Sequence, residues 1–332
     1  MKLKIYLLIT IPVLLLLSGC GEKNEEPAEK KVKYIVKDNP VIPKFHADSA
    51  LALIRRQVDF GPRVPGSEAH RAARQYFVQF LREVTDTVIE QNFTYNGYDG
   101  EVLSLTNIIA KINPDSAKRI LLCAHWDTRP RSDMEKDSVL AKKPIMGAND
   151  GASGVGVLLE VVRVLSVNNP GYGVDIVLFD GEDYAKNDDF VMFCLGSKYF
   201  AANTDVKSRY IFGVLLDLVG DKEAVFKKEG TSLNFAPEVV DLFWSTSARL
   251  GLKRFSNERG KEIYDDHVPL NQAGLKTINI IDADLVGHQV TEERRKYWHT
   301  NSDTMENIGI ETLDEVGRLL LNVIYSIRWY VE

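Results

Sequence analysis

Four segments of the chain place polar residues directly beside apolar runs, a setting in which ionisable side chains can carry out chemistry. The segments read LLCAHWDT (121–128), GANDGASG (147–154), IVLFDGED (176–183) and YWHTNSD (297–303). Together they supply two histidines, His125 and His299, and the carboxylates of Asp150, Glu182 and Asp183. Ligands of these types hold catalytic zinc, with one acid left to move protons. We therefore expect a zinc site that acts on a carbonyl group.

The amino terminus has the pattern of an export signal. Two lysines precede an apolar run at residues 5–17, which is too short to span a bilayer as a stable helix. The run ends in LSGC (17–20), which resembles a bacterial lipoprotein box, so Cys20 would carry lipid as the first mature residue. The alternative is an ordinary secretory signal in which Cys20 has no role. We expect residues 1–19 to be a signal peptide and the protein to be lipid-anchored to the bacterial cell envelope, on its periplasmic or outer-membrane face.

The segment that would follow the anchor is predicted to be a tether. Residues 20–44 hold many charges and few large apolar side chains, which is typical of a flexible segment without its own core. Loss of residues 1–19 would remove two lysines and change the formal charge from −6 to −8. An acidic mature chain argues against nucleic acid and anionic membrane surfaces as partners, so the lipid would be the contact with the membrane.

Two cysteines remain after Cys20. Cys123 lies in the apolar run ILLCA (120–124) and is expected to be a buried, unreactive thiol. A disulfide between Cys123 and Cys194 is the alternative, and the sequence leaves it open because it does not provide the geometry.

The alternation of apolar patterns predicts the fold class. Residues 45–332 contain no linker and no internal repeat, which indicates a single domain. Ser67 begins a helix with apolar residues on one face. Short apolar runs predict buried strands at 105–112, 119–124, 174–179, 211–216 and 277–281. Helical patterns occur at 151–165, 197–203 and 237–250. We predict a three-layer α/β/α sandwich with a mixed, mostly parallel central sheet.

The polar residues fall at one edge of this sheet. His125 and Asp127 follow one strand, residues 180–183 follow another, and Asp217 follows a third. Carboxyl ends of strands in an open α/β sheet line the crevice where ligands bind. Asp150 comes directly before a helix, where a helix N-cap is the alternative to a ligand. The strand-end residues favour the ligand.

The order of the motifs resembles a known family. The segments concerned are LFDGED (178–183), GSKYFA (196–201), LLDLVG (215–220), DDHVPL (265–270) and YWHT (297–300). They are similar to segments of the zinc aminopeptidase superfamily and, within it, of the glutaminyl-peptide cyclotransferases, or glutaminyl cyclases. The resemblance extends from about residue 50 to the C-terminus and implies a zinc-exopeptidase-like fold.

The resemblance implies one zinc ion per chain. Asp150, Asp183 and His299 would hold it and leave a fourth position open, as catalytic zinc requires. In the family, the second residue of this acidic pair is often glutamate. Asp183 would therefore be a ligand with a shorter side chain and the same carboxylate chemistry.

The resemblance also implies the residues that move protons. Glu182 would transfer them, and Asp217 and Asp265 would form a hydrogen-bonded acidic relay with it. Carboxylates that lie close together share a proton, which raises the pKa of one of them. Trp298 would wall the pocket for the substrate side chain.

The implied reaction converts the N-terminal glutamine of a peptide or protein to pyroglutamate and releases ammonia. Zinc would polarise the γ-carboxamide carbonyl, and Glu182 would accept a proton from the α-amine and return it to the departing ammonia. Because the nucleophile is intramolecular, holding one conformer supplies much of the barrier reduction. We expect a monomer.

Two other functions stay open. In a di-zinc aminopeptidase, His125, Asp150 and Asp217 would hold a second zinc, and Glu182 would deprotonate a metal-bound water. All the ligands for this reaction are present. The third function is a lipid-anchored binding or scaffold protein without catalysis, which should have lost Glu182 or a ligand, and none is lost.

The remaining histidines divide by context. His125 is either a metal ligand or a hydrogen-bonded group behind the metal. His267 is expected to organise the relay rather than bind metal. No motif contains His46, His70 or His288, which we predict to lie on the surface.

The loops around the predicted site differ from the family pattern. Asp180 and Gly181 are expected to shape the turn that presents Glu182. Animal cyclases carry a tryptophan and another aromatic residue where this chain has polar stretches at 184–188 and 292–296. We therefore predict a more polar pocket mouth.

Overall fold

The computed structural model describes residues 32–37, 40–186 and 189–331. Its strands are β1 (Val32–Val36), β2 (Thr87–Asn96), β3 (Val102–Ile112), β4 (Arg119–His125), β5 (Gly173–Phe179), β6 (Gly213–Asp217), β7 (Phe226–Lys228), β8 (Phe255–Arg259), β9 (Thr277–Ile281) and β10 (Ile327–Val331). Its α-helices are α1 (Ala47–Val58), α2 (Glu68–Val84), α3 (Ala152–Val167), α4 (Leu195–Asn203), α5 (Val206–Arg209), α6 (Gly230–Phe235), α7 (Pro237–Leu250), α8 (His267–Gln272) and α9 (Ile310–Ser326). Short 3-10 helices lie at Leu140–Lys142, Ala283–Leu285, Glu293–Arg295 and Met305–Asn307.

Six strands form a central sheet in the order β2-β3-β5-β4-β6-β9. Strands β5, β4, β6 and β9 are parallel, whereas β3 is antiparallel to both β2 and β5. The predicted mixed, mostly parallel sheet is confirmed. His125 pairs with Phe179, and Asp217 pairs with Ile281, so the ends of the parallel strands lie along one edge.

Side chains of the buried strands alternate between two helical layers. Ile120, Leu122 and Ala124 of β4 pack in a core with residues of α1, α3, α7 and α9. Leu121 and Cys123 pack on the opposite face with residues of α4 and α8. Each fully buried leucine or isoleucine contributes roughly 1.5–3 kcal/mol. Burial on both faces explains why β4 is a continuous apolar run, and it produces the predicted three layers.

Several predicted elements agree closely with the structure. Ser67 caps α2 through a hydrogen bond from the N–H of His70 to its hydroxyl, and β9 and α7 have the predicted bounds. Edge strand β2 is absent from the predictions because only Phe93 in it is buried, so it lacks a continuous apolar pattern. Helices α1 and α9 are also absent from the predictions.

Strand β1 differs from the prediction for residues 20–44. It pairs antiparallel with β10, and the ring of Tyr34 packs edge-on against Phe212 at 5.8 Å between centroids. The β-branched and aromatic residues of VKYIV (32–36) suit a strand that covers part of the core. A flexible tether is therefore wrong for these five residues.

The predicted signal peptide and Cys20 lie outside the described residues. Within the described ranges, no helix is long and apolar enough to cross a membrane. Cys123 and Cys194 are both buried free thiols, so the disulfide alternative is wrong.

Candidate active site

Three side chains from distant parts of the chain meet at the carboxyl edge of the sheet. Asp150 comes directly before α3, Asp183 lies in the turn after β5, and His299 lies in the loop between β9 and α9. One ligand atom of each lies within 4.8 Å of those of the other two. The Nε2 atom of His299 is 3.6 Å from Oδ2 of Asp150 and 3.5 Å from Oδ1 of Asp183. The structure thus brings together the three residues that the resemblance implied as zinc ligands.

Backbone geometry at Gly151 directs Asp150 into this cluster. Gly151 is the N-cap of α3 with φ of +88°, and no side chain caps the helix. A β-carbon at Gly151 would lie 2.9 Å from the carbonyl oxygen of Asp127, so glycine is needed there. The N-cap alternative for Asp150 is wrong, and its carboxylate instead contacts His125 and His299.

Asp127 holds the turn that carries Glu182 and Asp183. Its Oδ1 accepts a hydrogen bond from the N–H of Glu182 at 3.1 Å, and its Oδ2 accepts one from the N–H of Asp183 at 3.2 Å. Gly181 supplies the positive φ, +74°, that the turn requires. These contacts aim two consecutive side chains at the carboxyl edge of the sheet.

His70 also stabilises this turn, although the sequence predicted that it lies on the surface. That prediction is wrong, because His70 is 3% exposed. Its Nε2 hydrogen-bonds to Oδ1 of Asp180 at 2.9 Å, and its ring stacks on Trp126 at 4.2 Å between centroids. Asp180 also accepts a hydrogen bond from the N–H of Thr106 at 2.6 Å, so it shapes the turn as predicted.

A second group of metal-ligand types shares Asp150. The Nε2 atom of His125 is 3.2 Å from Oδ1 of Asp150 and 3.3 Å from Oδ1 of Asp217. Burial lowers the pKa of His125, but its contacts with Asp127, Asp150 and Asp217 outweigh burial and raise that pKa well above its usual value. The ligand set of the alternative second metal is therefore also assembled.

Glu182 lies in a third group, with Cys194 and Asp265. Burial raises the pKa of Glu182 well above its usual value, and the charge of Asp265 adds to this effect. The Cys194 thiol donates a hydrogen bond to Oε1 of Glu182 at 3.4 Å. A raised pKa makes a carboxyl group a stronger base, as a residue that accepts and then returns a proton requires.

The predicted relay is assembled only in part. Asp265 accepts hydrogen bonds from the side-chain amide of Asn279 at 2.7 Å and from the N–H of Asp266. Asp217 accepts one from the backbone N–H that follows it. Among the described residues, neither carboxylate hydrogen-bonds to Glu182. The charges of Asp217 and Asp265 still interact. Burial raises the pKa of Asp217 to about 7, and the charge of Asp265 adds to that shift.

A cavity of about 230 Å³ opens onto these groups. Besides the carboxylates and His299, it is lined by Phe190, Phe193, Ile263, Tyr264, Ile281, Val286 and Trp298. The indole of Trp298 stacks on the ring of His299 at 3.5 Å between centroids, which agrees with a pocket wall. Phe190 and Tyr264, which lie outside the segments that predicted a polar mouth, pack together in this lining at 5.1 Å between ring centroids.

The other histidines belong to none of these groups. His267 is in none of the three metal-ligand groups found among the described residues. Its Nε2 hydrogen-bonds to Oε2 of Glu229 at 3.2 Å inside the core. His46 and His288 are exposed, as predicted.

A buried ion-pair network behind the ligands was missed by sequence reasoning. Arg129 donates from Nη1 to Oδ1 of Asp183 at 2.6 Å, and from Nε and Nη2 to Asp133 at 2.9 and 2.6 Å. Oδ1 of Asp133 is 3.5 Å from Nδ1 of His299. The one available signal was the position of Arg129, four residues after His125 at the end of an apolar strand.

Residues 107–324, about two thirds of the chain, match the model of Peptidase family M28. The chain belongs to this family. Its structure is similar to that of a glutaminyl cyclase from Bacteroides thetaiotaomicron, with a TM-score of 0.80 and 42% identity, over 86% of this chain and 99% of that one. It is also similar to a leucine aminopeptidase precursor from the same organism, with a TM-score of 0.79 and 41% identity, over 86% and 99%. The curated glutaminyl-peptide cyclotransferase of Bos taurus is 26% identical over 302 residues, 78% of this chain and 76% of that protein.

Proposed function

We propose that this chain is a zinc-dependent glutaminyl-peptide cyclotransferase, which converts the N-terminal glutamine of peptides or proteins to pyroglutamate with release of ammonia. One observation carries the proposal. Glu182 directly precedes Asp183, and both line the cavity together with Asp150 and His299. The chain is also 42% identical to a solved glutaminyl cyclase, over 86% of this chain and 99% of that one.

The residues present fit one zinc ion per chain. Two carboxylates and an imidazole, from Asp150, Asp183 and His299, leave a fourth position for substrate. Oδ2 of Asp183 is buried without a hydrogen-bond partner among the described residues, which is costly unless a cation or a proton meets it. When bound, zinc would polarise the γ-carboxamide carbonyl of the substrate glutamine.

Glu182 would carry the proton from the nucleophile to the leaving group. It accepts a proton from the α-amine as the amine nitrogen bonds to the carboxamide carbon. It then gives a proton to the amide nitrogen, whose bond to that carbon breaks, so ammonia leaves. The raised pKa of Glu182 suits both halves of this exchange.

The lining of the cavity would hold the substrate in the reactive conformer. Trp298, Ile263 and Phe193 offer apolar contacts around the short glutamine side chain. Such a lining excludes bulk water and favours the folded conformer in which amine and carboxamide meet.

The second candidate function is a di-zinc aminopeptidase. It is favoured by the assembled group of His125, Asp150 and Asp217 and by the similarity to a leucine aminopeptidase precursor. In that enzyme Glu182 would deprotonate a metal-bound water instead of an amine.

Peptide assays distinguish the two functions. We expect peptides that begin with glutamine to lose one ammonia by mass and release it into solution, while peptides that begin with leucine or alanine stay intact. Peptides that begin with glutamate are the matched control, because they lack the amide leaving group. Release of N-terminal leucine without cyclisation of glutamine would overturn the proposal and indicate the aminopeptidase.

We also propose that the protein is exported and held at the cell envelope by lipid on Cys20. The LSGC pattern at residues 17–20 supports this location. The protein would act there as a monomer on peptide substrates, without a nucleic-acid partner.

A further inference from the structure

Asp133 contacts one proposed zinc ligand and holds the partner of another. Its two carboxylate oxygens accept hydrogen bonds from Nε and Nη2 of Arg129 at 2.9 and 2.6 Å. Arg129 uses its remaining edge to bind Oδ1 of Asp183 at 2.6 Å. Oδ1 of Asp133 also lies 3.5 Å from Nδ1 of His299. The Asp133 carboxylate is therefore linked to both ligands, directly to His299 and through Arg129 to Asp183.

The contact with His299 has a chemical reason. The Nε2 atom of His299 faces the carboxylates of Asp150 and Asp183, so a metal ligated there leaves the ring proton on Nδ1. Nδ1 is buried and has no hydrogen-bond partner among the described residues, and Oδ1 of Asp133 lies 3.5 Å from it, slightly beyond an ordinary hydrogen-bond distance. Metal-binding histidines usually donate this second N–H to a carboxylate or carbonyl. Asp133 is the carboxylate in place to receive it.

The pairing with Arg129 has an electrostatic reason. Arg129 is fully buried, and a guanidinium in such a place needs anionic partners for its rigid fork of donors. Asp133 neutralises two of its N–H groups, and Asp183 receives a third. Without Asp133, the charge of Arg129 would fall more heavily on Asp183 and would compete with a metal ion for that carboxylate.

We propose that Asp133 is a positioning residue of the zinc site, which orients His299 and, by pairing with Arg129, keeps Asp183 available to the metal. This inference rests on the proposed function, because it takes Asp183 and His299 as ligands. Asp133 itself would touch neither zinc nor substrate.

The test is the zinc affinity of Asp133→Ala, measured by competition with a chelator. We expect the dissociation constant to rise about 10–100-fold, the range typical for loss of a partner behind a metal ligand. Asp133→Asn keeps an oxygen acceptor for His299 and should fall between wild type and Asp133→Ala. The matched control is Asp137→Ala, an exposed residue of the same loop that accepts hydrogen bonds from the N–H groups of Val139 and Leu140.

A second readout separates positioning from general stability. A purely structural role would lower the thermal midpoint of the zinc-free protein and leave the increase caused by zinc unchanged. Our inference requires a smaller zinc-dependent increase in Asp133→Ala than in Asp137→Ala. It is overturned if the two variants differ by less than about threefold in zinc affinity, below the range for such partners. Failure of wild type to bind zinc or to cyclise glutamine peptides would instead refute the proposed function.

Discussion

The carboxylate of Asp303 holds the backbone of Asp150 in place. Oδ2 of Asp303 accepts a hydrogen bond from the N–H of Asp150 at 3.0 Å, and Oδ1 accepts one from the N–H of Asn149 at 2.8 Å. Because Asp303 lies four residues after His299, these bonds tie together the segments of two proposed zinc ligands. Asp303 is fully buried, so bulk water does not compete for the two donors.

Asp303→Ala should destabilise the fold as well as the site. It leaves two buried N–H groups without acceptors, and we expect the free energy of unfolding to fall by about 2–3 kcal/mol. Urea unfolding at neutral pH measures the change. Ser302→Ala, in the exposed neighbour, is the control. Equal stability of the two variants would show that the Asp303 contacts contribute little.

Glu182→Gln should separate chemistry from metal binding. The substitution keeps the shape of the side chain and removes its capacity as a base, so turnover of glutamine peptides should fall at least about a hundredfold. Zinc content should stay near that of wild type, because Glu182 is not a proposed ligand. Parallel measurement of rate and zinc checks this, and joint loss of both would contradict the assigned role.

Metal counting should distinguish the two candidate enzymes. We expect one tightly held zinc per chain after gel filtration without added metal. His299→Ala should lose it, His125→Ala should retain it, and Asp217→Asn should lose activity while it retains the zinc. Elemental analysis of each variant provides the count. Two zinc ions per active chain, together with release of N-terminal amino acids, would make the protein an aminopeptidase.

The buried pair of Glu229 and His267 should make stability depend on pH. Although burial opposes ionisation, the hydrogen bonds to His267, Ser232 and the N–H of Ile263 lower the pKa of Glu229 from 4.5 to about 2. The ionised group therefore stabilises the fold above about pH 4.5, by up to about 3 kcal/mol, and this stabilisation is lost as the pH falls toward 2.

Glu229→Gln tests this dependence. The variant should be less stable than wild type at pH 7, and the difference should shrink as the pH falls through 4. Urea unfolding over that range measures it, with Glu258→Gln as the control because the Glu258 side chain is 71% exposed. A difference that stays constant with pH would rule out the ionised Glu229 as its source.

Cys20→Ser should abolish the anchor, because the lipid would attach through that sulfur. We expect the variant to remain unprocessed or to become soluble, and the wild-type N-terminal peptide to carry acyl mass. Detergent partitioning and mass spectrometry read the two results. A processed variant that still partitions with membranes would show that the lipoprotein prediction is wrong.

The sequence by itself determined the sheet core, and its resemblance to a known family implied the proposed ligands. Strand β9 and helix α7 have their predicted bounds, because burial on one or both faces of an element leaves a local apolar pattern. Asp150 and Asp183 lie within four residues of such elements, whereas His299 was recognisable only from the YWHT segment (297–300) of the family resemblance. Strand β2 was not recognisable, since an exposed edge strand needs no apolar run.

Tertiary structure alone decided which groups stand behind the site. His70 is polar and lies in no motif, yet it is buried because Asp180 and Trp126 are brought to it from other elements. Asp133 lies near His299, and Phe190 packs on Tyr264, only because loops far apart in the chain converge at the edge of the sheet. The physical reason is that a hydrogen bond or a ring contact depends on two partners in space, whereas a sequence pattern records only the environment of one element.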